Sequence, residues 1–502
     1  MQSNIVSVML WGHEVGRLYW DKARGVAVFN FHPDFEKQNL NITPLTSAAA
    51  RHLPILGRKE KLYQGLPPFI ADSLPDKWGS TVLGQWAMRN GIPKKEITPV
   101  DKLTFIGKRG MGALEYVPAI AIEGSLDTLR LESLYQLSQY ILEQRNEVSI
   151  GSSMPINIQT IFEVGTSAGG KHPKAIIAIN EETHEIRSGQ TEQPDGFRYY
   201  ILKFAEDDDF PFTTIEMAYY EMATAAGITM MPSRLVEIMG KQHFLTERYD
   251  RQNGEKSFTQ TLAAIDPEAT SYMDLFQVCR ELAIPCVEQE EVFRRMVFNV
   301  LAGNVDDHTK NFSFMLDKKG NWHITPAYDM TFAVNLDGSG FAHDHAMAVS
   351  GKLRDIHAAD LESFAKVNGI KKSAQIIKEV AKIVSNFHSY AKRNGVNDYW
   401  TDRIEKYLST LVPTEYSAAM QHWQPTVVEP YQVGGTIIED VCLIENKRHD
   451  FTLQAVIDGK PCKHLFRKNS TVTKKIVGDG GSKMPAAKLQ QLVQQYLMAK
   501  RR

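Results

Sequence analysis

The stretch Gly303-Asn304-Val305-Asp306-Asp307-His308-Thr309-Lys310-Asn311, followed downstream by Pro326-Ala327-Tyr328-Asp329, decides how this chain is read. Four residues separate Asp306 from Asn311, and a further Asp stands at 329. That step lets one loop deliver two oxygen-bearing side chains to neighbouring points, one to a hydroxyl nucleophile and one to a metal ion. Asp and Asn are also the common residues of tight turns. The order of everything upstream therefore carries the decision.

Working back towards the N-terminus, the loop is preceded by mostly helical sequence over 271–312. Before it come the β-like runs Leu235-Val-Glu-Ile-Met and His243-Phe-Leu-Thr, which lead into Glu247-Arg-Tyr-Asp-Arg251. A helix is expected from Thr214 to Ala226, stopped by Gly227. Tyr199-Tyr-Ile-Leu-Lys203-Phe sets a lysine into an apolar strand, and an interior lysine needs a partner, for which Glu216 has the right position. Further back, Gly165-Thr166-Ser167-Ala168-Gly169-Gly170-Lys171-His172-Pro173-Lys174 lies between two β-like runs. Strands on both sides distinguish it from a Walker loop, which opens a helix. It reads as a flap whose backbone N–H groups approach nucleotide phosphates, the glycines permitting close contact.

Strand, Gly loop, strand, Lys strand, helix, hinge, helices, Asp/Asn loop and metal Asp is the order of a protein-kinase catalytic centre. In that reading Asp306 is the general base, and Lys310 reaches the γ-phosphate. Asn311 and Asp329 are hard oxygen ligands for magnesium. Lys203 neutralises the α/β-phosphates. Gly165 to Gly170 cover the nucleotide, and Glu247 and Tyr249 form the adenine hinge through backbone groups. Thr166 and Ser167 are candidate autophosphorylation sites, where a dianion would repel ATP phosphates. Asp329 lacks the Phe-Gly that follows it in ordinary protein kinases. Each residue also has a plainer reading: turn residues for Asp306, Asn311, Thr166 and Ser167, and solvated lysines for Lys203 and Lys310. His308 is expected to brace the loop, and His343-Asp-His345 to be structural or substrate-facing rather than a metal motif.

The rest of the chain bounds this reading. At 502 residues, 43% apolar and 23% charged, it has room for two or three domains with substantial cores. A net charge of -2 gives no global nucleic-acid or membrane signal. Four cysteines without C-x-x-C spacing argue against a disulfide scaffold or zinc finger and suit a reducing cytoplasm. With no signal-peptide pattern and no span-length apolar run, the expected location is cytoplasmic. Residues 4–31 read as a small sheet, Pro67 to Asn90 as helix, Gly110 to Tyr116 as strand, 127–145 as helix and 359–422 as amphipathic helices. Beyond Gln424, residues 436–477 read as short strands and 484–499 as a Gln-rich helix. Residues 431–502 hold 13 Lys+Arg against 6 Asp+Glu.

Several runs resemble the HipA family of bacterial serine/threonine kinases, toxins of toxin–antitoxin pairs. They are Leu74-Pro-Asp-Lys-Trp-Gly79, Asp101-Lys-Leu-Thr-Phe-Ile-Gly107, Met111-Gly-Ala-Leu-Glu-Tyr-Val-Pro118, Ser167-Ala-Gly-Gly-Lys-His-Pro-Lys174, Leu202-Lys-Phe, Glu247-Arg-Tyr-Asp, Asn304 to Asn311 and Pro326-Ala-Tyr-Asp329. They stand in family order over residues 1–420. The resemblance implies an α+β, two-lobed kinase-like fold: a β-rich N-terminal subdomain (1–125), a lobe with Gly loop and hinge (126–255) and a helical catalytic lobe (256–425); the basic extension (431–502) lies outside it. The resemblance implies ATP and Mg2+, a protein substrate and regulation by a small helix-turn-helix antitoxin; DNA is expected to be contacted only indirectly or through the basic extension. Two other readings compete: a catalytically silent co-repressor or scaffold bound to an antitoxin on DNA, and a metal-dependent hydrolase built from Asp306, Asp307, His308 and Asp329. The second leaves Lys203 and the Gly loop unexplained.

Overall fold

The structure, a computed structural model, describes residues 5–38, 40–45, 52–75, 77–89, 91–93, 96–119, 129–144, 172–206, 210–252, 254–338, 343–413, 431–433, 436–445, 451–457, 460–466 and 474–477. The expected Gly loop 165–170, with Thr166 and Ser167, lies outside the described residues, as does the expected helix 484–499. Residues 1–420 form one compact unit and 421–502 a second.

The first unit begins with an antiparallel sheet of β1 (Ile5–Leu10), β2 (His13–Asp21), β3 (Val26–Phe31), β4 (Ile55–Leu56) and β5 (Leu114–Val117), in the order β4-β3-β2-β1-β5. Alternation in β1 buries Val6, Val8 and Leu10 on one face. The residues expected to form a strand from Gly110 do so only from Leu114, because Gly110 to Ala113 turn towards another part of the chain. The run Asp101 to Gly107 is mostly the helix Pro99–Ile106, closed at its start by a capping box. Thr98 Oγ1 accepts the Asp101 N–H at 3.1 Å, and Asp101 Oδ2 accepts the Thr98 N–H at 2.8 Å.

The second sheet is also antiparallel: β6 (Lys174–Asn180), β7 (Ile186–Ser188), β8 (Phe197–Lys203), β9 (Ser233–Ile238) and β10 (Lys241–Glu247), ordered β7-β6-β8-β10-β9. The helix Phe212–Ala225 follows β8 and ends as the glycine signal foretells: Gly227 takes φ +82° and donates to Thr224 O at 3.0 Å. A short hairpin, β11 (Arg251–Gln252) and β12 (Glu255–Lys256), leads to a three-stranded sheet that sequence reasoning did not anticipate. It consists of β13 (Phe258–Thr261), β14 (Ser313–Leu316) and β15 (Trp322–Ile324). Between β13 and β14 run the helices Tyr272–Glu281 and Cys286–Leu301. Four more cover Ala358–Val367, Ser373–Val384, Phe387–Arg393 and Asp398–Leu411. One apolar core extends from Val6 to Val412, and a smaller one joins the second sheet to the helix Leu131–Gln144. Among the described residues no helix is long and apolar enough to cross a membrane.

Polar staples fix the N-terminal sheet against the following elements. Asp72 accepts the Thr261 N–H at 2.7 Å and its hydroxyl at 2.9 Å. Trp78 Nε1 donates to Lys174 O at 2.9 Å, and Gln260 Nε2 to Ile42 O at 2.7 Å. The densest staple is Asp250, fully buried between two arginines. Arg248 binds both its oxygens, at 2.9 and 2.8 Å, and Arg251 Nη1 binds Oδ2 at 2.8 Å. The Gly112 N–H adds a fourth bond at 2.7 Å, and Arg251 also donates to the carbonyls of Gly110 and Gly112. Gly112 takes φ +74°, and a Cβ there would stand 3.2 Å from Thr259 Oγ1, so the turn requires glycine. Burial alone would raise the Asp250 carboxyl, yet the two guanidiniums hold it well below the ordinary carboxylate range. Burial brings Arg251 down to about 10. Arg248, Asp250 and Arg251, which alternate with the hinge candidates Glu247 and Tyr249, thus form a structural joint.

The second unit is an antiparallel meander of β16 (Tyr431–Val433), β17 (Thr436–Glu445), β18 (Phe451–Ile457), β19 (Lys460–Phe466) and β20 (Lys474–Val477), each strand pairing with the next. This agrees with the strand-rich reading of 436–477.

Removing the shared anion would leave two buried guanidiniums facing each other. Asp250→Ala is expected to cost about 3–5 kcal/mol of stability, read as a lowered midpoint in guanidinium unfolding followed by tryptophan fluorescence.

Candidate functional site

The helix Cys286–Leu301 ends at Ala302, and Gly303 turns the chain with φ +64° into the loop that carries Asp306. A single 3-10 turn, Thr309–Asn311, then leads into β14. Asn311 closes the five-residue step on itself: its Nδ2 donates to the Asp306 carbonyl at 2.8 Å, and its backbone N–H donates to His308 O at 2.8 Å. With Nδ2 so engaged, the amide oxygen is the group left to act as a ligand.

Asp306 and Asp307 are adjacent but have opposite fates. The Asp306 side chain is 73% exposed, with His308 Nε2 4.0 Å away. Asp307 is buried, and its Oδ2 accepts from Tyr272 OH at 2.6 Å and lies 2.9 Å from His345 Nδ1. Its Oδ1 accepts the Ala346 N–H at 2.8 Å. Asn299 Nδ2 donates to Tyr272 OH at 3.0 Å, and Asn304 Nδ2 to Asn299 Oδ1 at 2.9 Å, so the network runs back into the helix before the loop. Burial and the neighbouring Asp307 charge push the Tyr272 phenol well above its usual range, keeping it a hydrogen-bond donor. Asp307 anchors the loop, and Asp306 is left facing solvent.

On the facing sheet, Lys203 ends β8 with its ammonium between two carboxylates. Its Nζ donates to Glu216 Oε1 at 2.6 Å, from the helix Phe212–Ala225, and also to Asp329 Oδ1. Burial works against the Lys203 charge, but Asp329 and Glu216 outweigh it and raise its pKa. Burial raises Glu216 as well, opposed by Lys203. For Asp329 burial also pushes upward, and Lys203 followed by Lys174 holds it below the ordinary range. Of the two acids Asp329 is the better exposed, at 31% against 7%, and so keeps its charge more readily. Lys174 is paired in register with Lys203 across β6 and β8. Sequence reasoning placed it only at the end of the Gly loop, although a buried lysine one strand away from another was a signal for a shared anionic partner.

Asp329 is positioned by its backbone. Ala327 donates to Thr229 O at 2.8 Å, and Asp329 itself takes φ +51°, an uncommon conformation for a side-chain-bearing residue. Tyr328 just before it donates to Lys310 O at 2.8 Å, exchanges a hydrogen bond with Ser313 Oγ, and stacks at 5.9 Å on Tyr249. The structure therefore puts the Tyr249 ring beside the segment that holds Asp329. The Glu247 N–H donates to Pro232 O at 3.0 Å, and the next N–H, Arg248, to Tyr199 O at 2.8 Å. Lys310 is half-buried, and its charge acts on Asp72, whose carboxyl is raised by burial and partly restored by Lys310. Asp72 was not singled out by sequence reasoning. The two histidines of His343-Asp-His345 serve different partners, His345 on Asp307 and His343 tilted against the Tyr407 ring at 5.6 Å.

Comparisons with known proteins bear on the family and the fold. Residues 6–117 match the model described as the HipA N-terminal domain, and residues 166–387 match that of the HipA-like C-terminal domain. The chain is 24% identical over 354 residues to "Putative kinase Y4mE" of Sinorhizobium fredii, covering 66% of this chain and 78% of that protein. It is 26% identical over 152 residues to the serine/threonine-protein kinase toxin HipA of Shewanella oneidensis, covering 30% and 31%. A solved structure of the Shewanella oneidensis MR-1 toxin–antitoxin system HipA, HipB and its operator DNA complex superposes with a TM-score of 0.57 at 16% identity. The match covers 83% of this chain and 97% of that one. At that identity the likeness establishes the fold, mixed helix and antiparallel sheet as found here.

The depressed Asp329 fixes a sign for pH dependence. Its pairing stabilises the fold fully above the ordinary carboxylate pKa, and the contribution is lost as pH falls through the lower folded value. The stability difference between wild type and Asp329→Asn should hold steady from neutral pH down to about pH 5 and shrink below about pH 4, measured by urea unfolding across a pH series.

Proposed function

Because the chain belongs to the HipA family, we propose that it is an ATP- and magnesium-dependent serine/threonine protein kinase acting as a growth-inhibiting toxin. The observation that supports this most is the trio Lys203, Glu216 and Asp329, joined across a strand, a helix and the segment after β15. A buried lysine held by one permanent acid and one more exposed acid is suited to meet a polyphosphate, since Asp329 can turn to a metal while Glu216 retains the ammonium.

The donor set fits magnesium: the Asn311 amide oxygen and the Asp329 carboxylate are hard oxygens, few enough to leave places for water and phosphate. Bound there, magnesium would neutralise the phosphate charge that builds up during transfer. Asp306 would take the proton of the acceptor hydroxyl as its oxygen bonds to the γ-phosphorus and the bond to the β-phosphate oxygen breaks. Its exposure suits an acceptor presented by another protein. Lys310 and Lys203 supply positive charge to the phosphates. The flap 165–170 covers the nucleotide, with Thr166 and Ser167 as sites of autophosphorylation. Glu247 and Tyr249 border the adenine. A helix-turn-helix antitoxin, with DNA held mainly through it, is the proposed partner, and the cytoplasm the proposed location.

Purified protein with labelled ATP and magnesium tests this directly, using its own chain and a cell lysate as acceptors. Asp306→Asn should reduce transfer by about 10²–10⁴-fold with an unchanged melting temperature, because the side chain is exposed. ATP binding without any transfer by wild type would favour the co-repressor or scaffold reading instead.

A further inference from the structure

The two helices Phe387–Arg393 and Asp398–Leu411 carry a cluster that the kinase reading does not use. Asn397 caps the second helix through the Trp400 N–H at 3.0 Å, and Asp402 and Glu405, three residues apart, share one face of it. His388 comes from the first helix. One ligand atom from each of His388, Asp402 and Glu405 lies within 4.8 Å of the other two. Donors bound at about 2.0–2.2 Å to one ion stand roughly 3.4 Å apart, so small side-chain rotations close the set.

The second observation concerns Glu405 itself. The residue is 1% exposed; its Oε2 lies 2.9 Å from His388 Nδ1, and its Oε1 is buried with no hydrogen-bond partner. A buried carboxylate oxygen left without a donor is costly, and such atoms call for an unseen water or ion. Three cations of these two helices are committed elsewhere. Lys392 pairs with Asp398, Arg393 with Glu221, and Arg403 with Asp337 while lying over the Tyr399 and Trp400 rings. Asp402 is exposed, which provides an entry path. Burial and the Asp398 charge raise its carboxyl, with His388 opposing, and a bound cation would keep it ionised.

We propose that His388, Asp402 and Glu405 bind one divalent transition-metal ion, clamping the helices Phe387–Arg393 and Asp398–Leu411 together. Imidazole with two carboxylates suits zinc or manganese rather than calcium or magnesium, whose ligands are oxygens. Three protein ligands leave room for water to complete the shell.

The test is zinc titration of chelator-stripped full-length protein without nucleotide, with bound metal counted after dialysis and cobalt(II) absorption as a second readout of the ligand field. Wild type should bind one tight equivalent, and so should Asp329→Asn, which separates this site from the proposed magnesium site. Asp402→Asn and His388→Gln should each weaken that equivalent at least tenfold. Circular dichroism controls for folding, and exposed Asp402 is the variant least able to disturb it. The proposal is overturned if wild type holds no tight zinc, if both variants retain it, or if Asp329→Asn abolishes it. The first of these would make His388–Glu405 an ordinary ion pair.

Discussion

A buried ammonium must find negative charge, and much of the site is organised around Lys203 doing so. Its two partners come from opposite directions: Glu216 on the helix that follows β8, and Asp329 at the end of a segment docked against Thr229. Pulling either away would leave charge stranded in a low-dielectric interior, a penalty far larger than that of losing a surface pair. The pairing therefore ties the second sheet, its helix and the segment after β15 into one mechanical unit. Because the three charges compete, their protonation is shared unequally: Glu216 is drawn up and Asp329 held down. The acid that retains its charge is the one nearer solvent.

The same economy governs the loop opposite. Asp307 gives up all contact with water to hold Tyr272, His345 and the Ala346 N–H, and this leaves its neighbour Asp306 free of structural duty. Asn311 completes the arrangement by gripping the Asp306 carbonyl rather than its carboxylate. Asp306 is thus positioned by its backbone and its neighbour, while its side chain stays exposed.

Behind both stands the Asp250 joint, which fastens the Gly110–Gly112 turn of the N-terminal sheet to the residues after β10. Asp72 on Thr261 fastens the same subdomain close to the strand paired with β14, directly after the 3-10 turn. The N-terminal subdomain is thus a structural part of the frame that carries Asp306, and the Lys310 charge acts on its Asp72.

Periodicity and punctuation made most elements legible: alternation in Ile5–Leu10, the glycine stop after Phe212–Ala225, the helical spacing of 358–411. The three-stranded sheet escaped, because β13 and β14 are far apart in sequence with helices between them, and neither strand is long enough to show its period. That Asn311 and Asp306 stand together could be read from spacing alone, since both belong to one short loop. The pairing of Lys203 with Glu216 was half-legible, a buried lysine demanding an acid. That Asp329 also answers that demand, that Asp307 anchors the loop through Tyr272 and His345, and that Arg248, Asp250 and Arg251 form a joint all depended on distant segments meeting. Charges buried by folding choose partners by proximity in space, which spacing along the chain does not record.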